Sequence, residues 1–173
     1  AAFDRQFRTE LPSLRLEPET SLVAGLRMIK SPAEQALLRR AALCADAALT
    51  TAVETIQAGG ATEREVCAAA FAAGLRAGAD FLRYVRVHSG PWSSYGSRWP
   101  QAMDRRIEPG DVVALDAIGA YQGYQFDVNR TTVAGTADDE ARQLLETTLE
   151  ATEAAVATCV AGARISDVVA AAE

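Results

Sequence analysis

The chain has 173 residues, 49% of them apolar and 23% charged, which marks a globular protein long enough for one core. Its net charge of −6, with no Lys/Arg-rich run to neutralise phosphates, argues against nucleic-acid binding. No run of about 18 apolar residues is present to span a membrane, and Ala1-Ala2-Phe3-Asp4-Arg5 lacks a signal-peptide layout, so a cytoplasmic location is expected.

Residues 1 to about 25 show no clear period. Leu11-Pro12 and Glu17-Pro18 break any long helix, so the segment reads as a connector. The absence of an initiating Met agrees with a piece of a longer chain. Ser31-Pro32-Ala33-Glu34 is a helix start, with Ser31 as N-cap, Pro32 in the first turn and Glu34 reaching back. Leu37, Leu38, Ala41, Ala45, Ala48, Leu49, Ala52, Val53 and Ile56 then recur on one face, which predicts a helix from about Pro32 to Gln57. Gly59-Gly60 stops it. A second capping box, Thr62 to Glu65, opens another helix that ends near Gly74 or Gly78.

Phe81 to His88 alternates and is rich in β-branched and aromatic residues, which predicts a strand. From Ser89 to Gln101 the composition turns to Gly, Pro, Ser and aromatics. This is a loop, and Trp92, Tyr95, Arg98 and Trp99 either line a pocket mouth or simply cover the sheet edge. The cysteines Cys44, Cys67 and Cys159 lie in helical patterns with no Cys-x-x-Cys spacing, and they read as buried free thiols.

Val112 to Val133 then reads as a β-hairpin, two β-branched and aromatic runs around a short segment containing Gly123. A turn centred between Tyr121 and Gln122 would set Asp116 directly opposite Asp127, with their Cβ atoms about 5 Å apart. Two opposed carboxylates repel, and burying one unpaired is costly, so the pair calls for compensation. A divalent cation supplies it. The plainer alternative leaves one Asp in solvent and pairs the other with Arg130.

Gly110-Asp111-Val112-Val113-Ala114-Leu115-Asp116 and Gly123-Tyr124-Gln125-Phe126-Asp127-Val128-Asn129-Arg130-Thr131 resemble the pita-bread metallopeptidases: prolidase, aminopeptidase P, methionine aminopeptidase and the related creatinase. Arg27 to Glu34 resembles the beginning of that family's catalytic domain, and Ser89-Gly90-Pro91 the end of its first core strand. The resemblance implies an α+β fold, the first half of a pita-bread domain, with two amphipathic helices packed on an antiparallel sheet. Residues 1–25 would then be a connector or the tail of a preceding domain, and 26–173 a partial catalytic domain.

By the same resemblance Asp116 and Asp127 are the first two of five ligands for two divalent metals, Mn²⁺ being favoured with Co²⁺ or Zn²⁺ as alternatives. The remaining His and two Glu, and the acid/base carboxylates, would lie beyond residue 173. His88 is the only histidine and stands upstream of both aspartates. It is expected as a hydrogen-bonded strand-end residue or a substrate-facing one. Trp99 and Asn129 are the other candidates for substrate contact.

Two departures from the family pattern stand out. Prolidases and aminopeptidases P usually carry a histidine after the Ser-Gly-Pro segment, whereas Ser97, Arg98 and Trp99 occupy the matching positions here. Asn129 replaces a usual Thr.

Gly162 to Ala171 parallels Gly60 to Ala69 at an offset of 102 residues, each after a long helix that here opens at Thr136-Ala137-Asp138-Asp139. The repeats are expected at about 31–135 and, cut short, at about 136–173. An incomplete sheet leaves an unpaired edge, so the chain is expected to be a fragment, to form a homodimer or to need a C-terminal half. The functional expectation is a metal-dependent hydrolase removing the N-terminal residue of a peptide, Xaa-Pro bonds included, with the isolated chain inactive. The alternatives are a creatinase-like C–N hydrolase of a small amide, and an inactive peptide-binding module.

Overall fold

The computed structural model describes residues 2–14, 17, 19–96 and 99–173, which divide into two units, 1–35 and 36–173. In the first unit the segment expected as a connector or the tail of a preceding domain carries two short helices, α1 (Ala2–Glu10) and α2 (Ser21–Met28). Helices of 9 and 8 residues are too short to show a period. Local contacts hold them instead: an Arg8–Asp4 pair one turn apart in α1, and the Glu19 carboxylate accepting from the Ser21 and Leu22 amides at the start of α2. Pro12 follows α1 closely, as a helix stop should.

The long helix α3 (Pro32–Ala58) starts at the anticipated capping box, with the Ser31 amide donating to Glu34 Oε2 at 2.7 Å and the Glu34 amide to Ser31 Oγ at 3.3 Å. Its core stripe is Ala41, Cys44, Ala45, Ala48, Leu49, Ala52 and Ile56. This stripe of mostly small residues lets the backbone lie close on its neighbours. The second capping box opens α4 (Glu63–Arg76), where Thr62 and Glu65 exchange hydrogen bonds.

Three antiparallel strands follow, β1 (Phe81–Ser89), β2 (Val112–Tyr121) and β3 (Tyr124–Val133), in the order β1-β2-β3. Val85, Val87, Val113, Leu115, Ala117 and Phe126 join the α3 and α4 stripes in one core. The molecule is thus two-layered here, with helices on one face of the sheet.

The hairpin turn lies at Gln122-Gly123, both with positive φ (47° and 79°). A two-residue turn of this kind needs left-handed backbone at both central positions, and glycine supplies the second without cost. A turn at Tyr121-Gln122 would force that backbone on a tyrosine. The register is therefore Tyr121 opposite Tyr124 and Asp116 opposite Asn129, which corrects the expected direct pairing of Asp116 with Asp127. No bulge occurs at Gly123; the irregularity falls in β1, between Leu82 and Tyr84.

After Gly135 the chain forms α5 (Asp139–Thr158), capped by Asp138 accepting from the Ala141 amide, and α6 (Ile165–Ala172). The second helix of each pair begins 102 residues from its counterpart, at Glu63 and Ile165, matching the sequence repeat. Neither α5 nor α6 buries a residue. Cys159, expected to be buried, is exposed at the end of α5, while Cys44 is buried and Cys67 half-buried.

Candidate metal-binding face

Alternation along the strands gives the sheet a second face, turned away from the α3 and α4 core. Tyr84, Arg86 and His88 of β1 share it with Asp116 of β2 and with Asp127 and Asn129 of β3. One cross-strand row reads Arg86, Asp116, Asn129; the next reads Tyr84, Ile118, Asp127. Asp116 and Asp127 are thus diagonal neighbours, within reach of each other across the ribbon.

Asp116 is 7% exposed, and Asp127 is exposed. Asp116 Oδ2 accepts from Arg86 Nη1 at 3.1 Å. Its Oδ1 is buried and meets no hydrogen-bond donor among the described residues. Burial raises the Asp116 pKa above the ordinary carboxylate value, the Arg86 guanidinium opposes that rise, and the charge of Asp127 adds to it. Arg130, the counter-ion suggested by sequence, stands opposite Leu115 and donates to the Asn129 carbonyl. Arg86 takes the place expected for it.

His88 is fully buried on β1, opposite Ala114 and two residues beyond Arg86. Asn129 is exposed beside a cavity of about 700 Å³ between β3 and α5, which Leu144, Leu145 and Leu149 also line. Trp99 is 77% exposed on the loop after β1 rather than on the sheet face. Ser97 and Arg98 lie outside the described residues. Trp92 and Tyr95 pack ring to ring with centroids 5.7 Å apart, both largely exposed.

A second polar cluster, not anticipated from sequence, fixes the end of β1. Glu63, fully buried, accepts from the Ser89 amide (2.9 Å) and hydroxyl (2.8 Å) through Oε1, and from the Met103 amide (2.9 Å) through Oε2. Arg105 donates to Ser89 Oγ and forms a two-point pair with Asp111. The sequence offers no signal for it beyond Glu63 itself, an acid in the first turn of a helix, where most such side chains face solvent.

Among the described residues no group of three or more His, Cys, Asp or Glu side chains gathers into a cage for an ion. Asp116 and Asp127 nevertheless fit a cation. A buried anionic oxygen without a donor is costly, an all-oxygen pair suits a hard divalent ion, and a second carboxylate stands within reach.

A helix-backed antiparallel sheet, followed by the start of a second helix pair, defines the first part of a pita-bread α+β domain. The solved prolidase of Pyrococcus furiosus superimposes with a TM-score of 0.80 at 31% identity, over 88% of this chain and 44% of that one. Residues 36–173 match the model of metallopeptidase family M24, and the chain belongs to that family. It is 34% identical to the Xaa-Pro dipeptidase of Pyrococcus horikoshii over 137 residues, 78% of this chain and 38% of that protein. It is also 34% identical to an uncharacterised hydrolase/peptidase of Sinorhizobium fredii over 168 residues, 94% of this chain and 42% of that protein. The chain therefore spans about two fifths of the length of these relatives.

Proposed function

We propose that this chain supplies half of the active site of a metal-dependent peptidase that removes the N-terminal residue of a peptide, Xaa-Pro substrates included. Asp116 and Asp127 are its metal ligands. The observation that carries the reading is the donorless, buried Oδ1 of Asp116 on the same sheet face as Asp127, in a chain of a metallopeptidase family. When bound, two divalent ions, Mn²⁺ for preference, would supply Lewis-acid chemistry to the scissile carbonyl and the attacking water.

The protein's own residues do the rest. The core behind β2 holds Asp116 in place, and the two-residue turn sets Asp127 one diagonal step away. In this reading Asn129, at the β3 edge of that face, and Trp99, on the neighbouring loop, contact substrate, and His88, fully buried on the same face, does so only if the side chains over it move aside. Among the described residues Asp116 and Asp127 are the ligands this reading assigns, and it takes the remaining ligands, and with them the activity, from a longer protein carrying this chain.

The test is calorimetric titration with Mn²⁺ of that protein and its Asp127→Ala variant, alongside hydrolysis of a Xaa-Pro dipeptide by the wild type and Asp116→Ala. Binding and turnover lost in the variants are expected. Turnover that survives Asp116→Ala would overturn the assignment. A second reading, a C–N hydrolase of a small amide, is favoured by the loop after β1, which carries no histidine. Hydrolysis of a small amide by the same protein, with every Xaa-Pro dipeptide left intact, would select it.

A further inference from the structure

Arg86 has no part in the reading above, yet it is held by several contacts on the sheet face. Three elements fix it. Its Nη1 donates to Asp116 Oδ2 on β2 at 3.1 Å, and its Nε donates to Gln101 Oε1 on the following loop at 2.9 Å. Its Cζ lies 5.2 Å from the centre of the Tyr84 ring, two residues back on the same strand. Gln101 is itself anchored, since its carbonyl accepts from the Val87 amide at 2.9 Å. The Arg86 and Asp116 side chains are only 19% and 10% exposed, so water screens the pair weakly.

A carboxylate has two oxygens. In Asp116 one is engaged by the guanidinium, and the other meets no donor. A divalent ion that takes both oxygens must displace Arg86; one that takes Oδ1 alone must sit beside a fixed positive charge. Either route lowers metal affinity. We propose that Arg86 is a resident counter-cation of Asp116, and that metal loads this site by exchange against its guanidinium. In the metal-free protein Arg86 keeps the buried carboxylate paired and holds its strand position. On loading, the guanidinium stays tethered to Gln101 and Tyr84 on the same face.

This inference rests on the metal reading of Asp116 and Asp127, and the experiment separates the two. Mn²⁺ affinity is measured by calorimetry on the full-length protein carrying this chain, its Arg86→Gln and Arg86→Lys variants, and Asp127→Ala as reference. Arg86→Gln keeps a hydrogen-bond donor and removes the charge, so it should bind at least about tenfold more tightly than wild type, while Arg86→Lys stays within about threefold. In the wild type, nitrogen-15 spectra should show the Arg86 Nε–H signal shifting as Zn²⁺, a diamagnetic ion, saturates the site. That readout holds if a variant fails to fold. Binding that Asp127→Ala abolishes but Arg86→Gln leaves unchanged or weakens would overturn the exchange while sparing the metal site, as would an unmoved Arg86 signal at saturation. No binding by wild type or by Arg86→Gln would overturn both.

Discussion

Replacing Glu63 tests how the end of β1 is held. Among the described residues the carboxylate accepts two hydrogen bonds from Ser89 and one from the Met103 amide, at a fully buried position. Glu63→Ala strands the buried Ser89 N–H, the part-buried Met103 N–H and one hydroxyl. The hydroxyl can rotate, but the amides cannot, and at about 1–3 kcal/mol for each stranded donor the loss comes to about 4 kcal/mol. Glu63→Gln is milder. Its amide oxygen can keep both Ser89 bonds, while its NH₂ faces the Met103 N–H, one lost bond of about 1–2 kcal/mol. For a protein of this size each kcal/mol moves Tm by about 2–4 °C, so the two variants should melt roughly 12 °C and 5 °C below wild type. Urea unfolding followed by tryptophan emission is a suitable assay, because Trp92 belongs to the short 3₁₀ turn that follows Ser89. A Glu63→Ala variant within about 1 kcal/mol of wild type, or a Gln variant as damaged as the Ala variant, would refute the three-bond account.

The neighbouring turn makes a sharper claim. A Cβ on Gly90 would stand 2.5 Å from Asp111 Oδ1 and 2.7 Å from Arg105 Nη2, with φ at +56°, so Gly90→Ala should break the Arg105–Asp111 pair. A loss of about 2–3 kcal/mol is expected, and urea midpoints check it. In the sheet, Gly119→Ala would press a methyl to 2.5 Å from both Phe126 Cζ and the Phe81 carbonyl. It should cost about 2–3 kcal/mol, and Phe126→Leu in the same chain should relieve part of it, which a double-mutant cycle would detect. Thiol titration near pH 8 should show one fast cysteine per chain, the exposed Cys159, with Cys44 and Cys67 reacting only in denaturant. Burial raises both their pKa values, so their thiolate fractions lag an ordinary thiol as pH rises. A fast phase that persists in Cys159→Ser would refute this.

Sequence showed most where a signal is local. Both capping boxes mark helix starts within four residues, and the structure places α3 and α4 where Ser31–Glu34 and Thr62–Glu65 put them. The strand alternation of β1 and the hairpin are likewise local patterns. What escaped is of two kinds. Helices α1 and α2 have too few residues for a period, and their stability comes from single capping and ion-pair contacts. The Glu63 cluster joins residues 26 and 40 positions apart, and no local pattern marks such partners.

The hairpin register shows why an error there did not disperse the candidate site. The turn fell one residue later than expected, which slides every cross-strand partner by two positions. Side chains alternate with a period of two, so a slide of two keeps each residue on its own face and only changes who stands directly opposite. Asp116 and Asp127 therefore still share a face, as diagonal neighbours rather than a facing pair. The same parity settles the choice of counter-ion. Arg130 follows Asn129, the residue opposite Asp116, so it must turn to the helix-covered face. A cation for Asp116 has to come from a strand position in register with it, and β1 places Arg86 there.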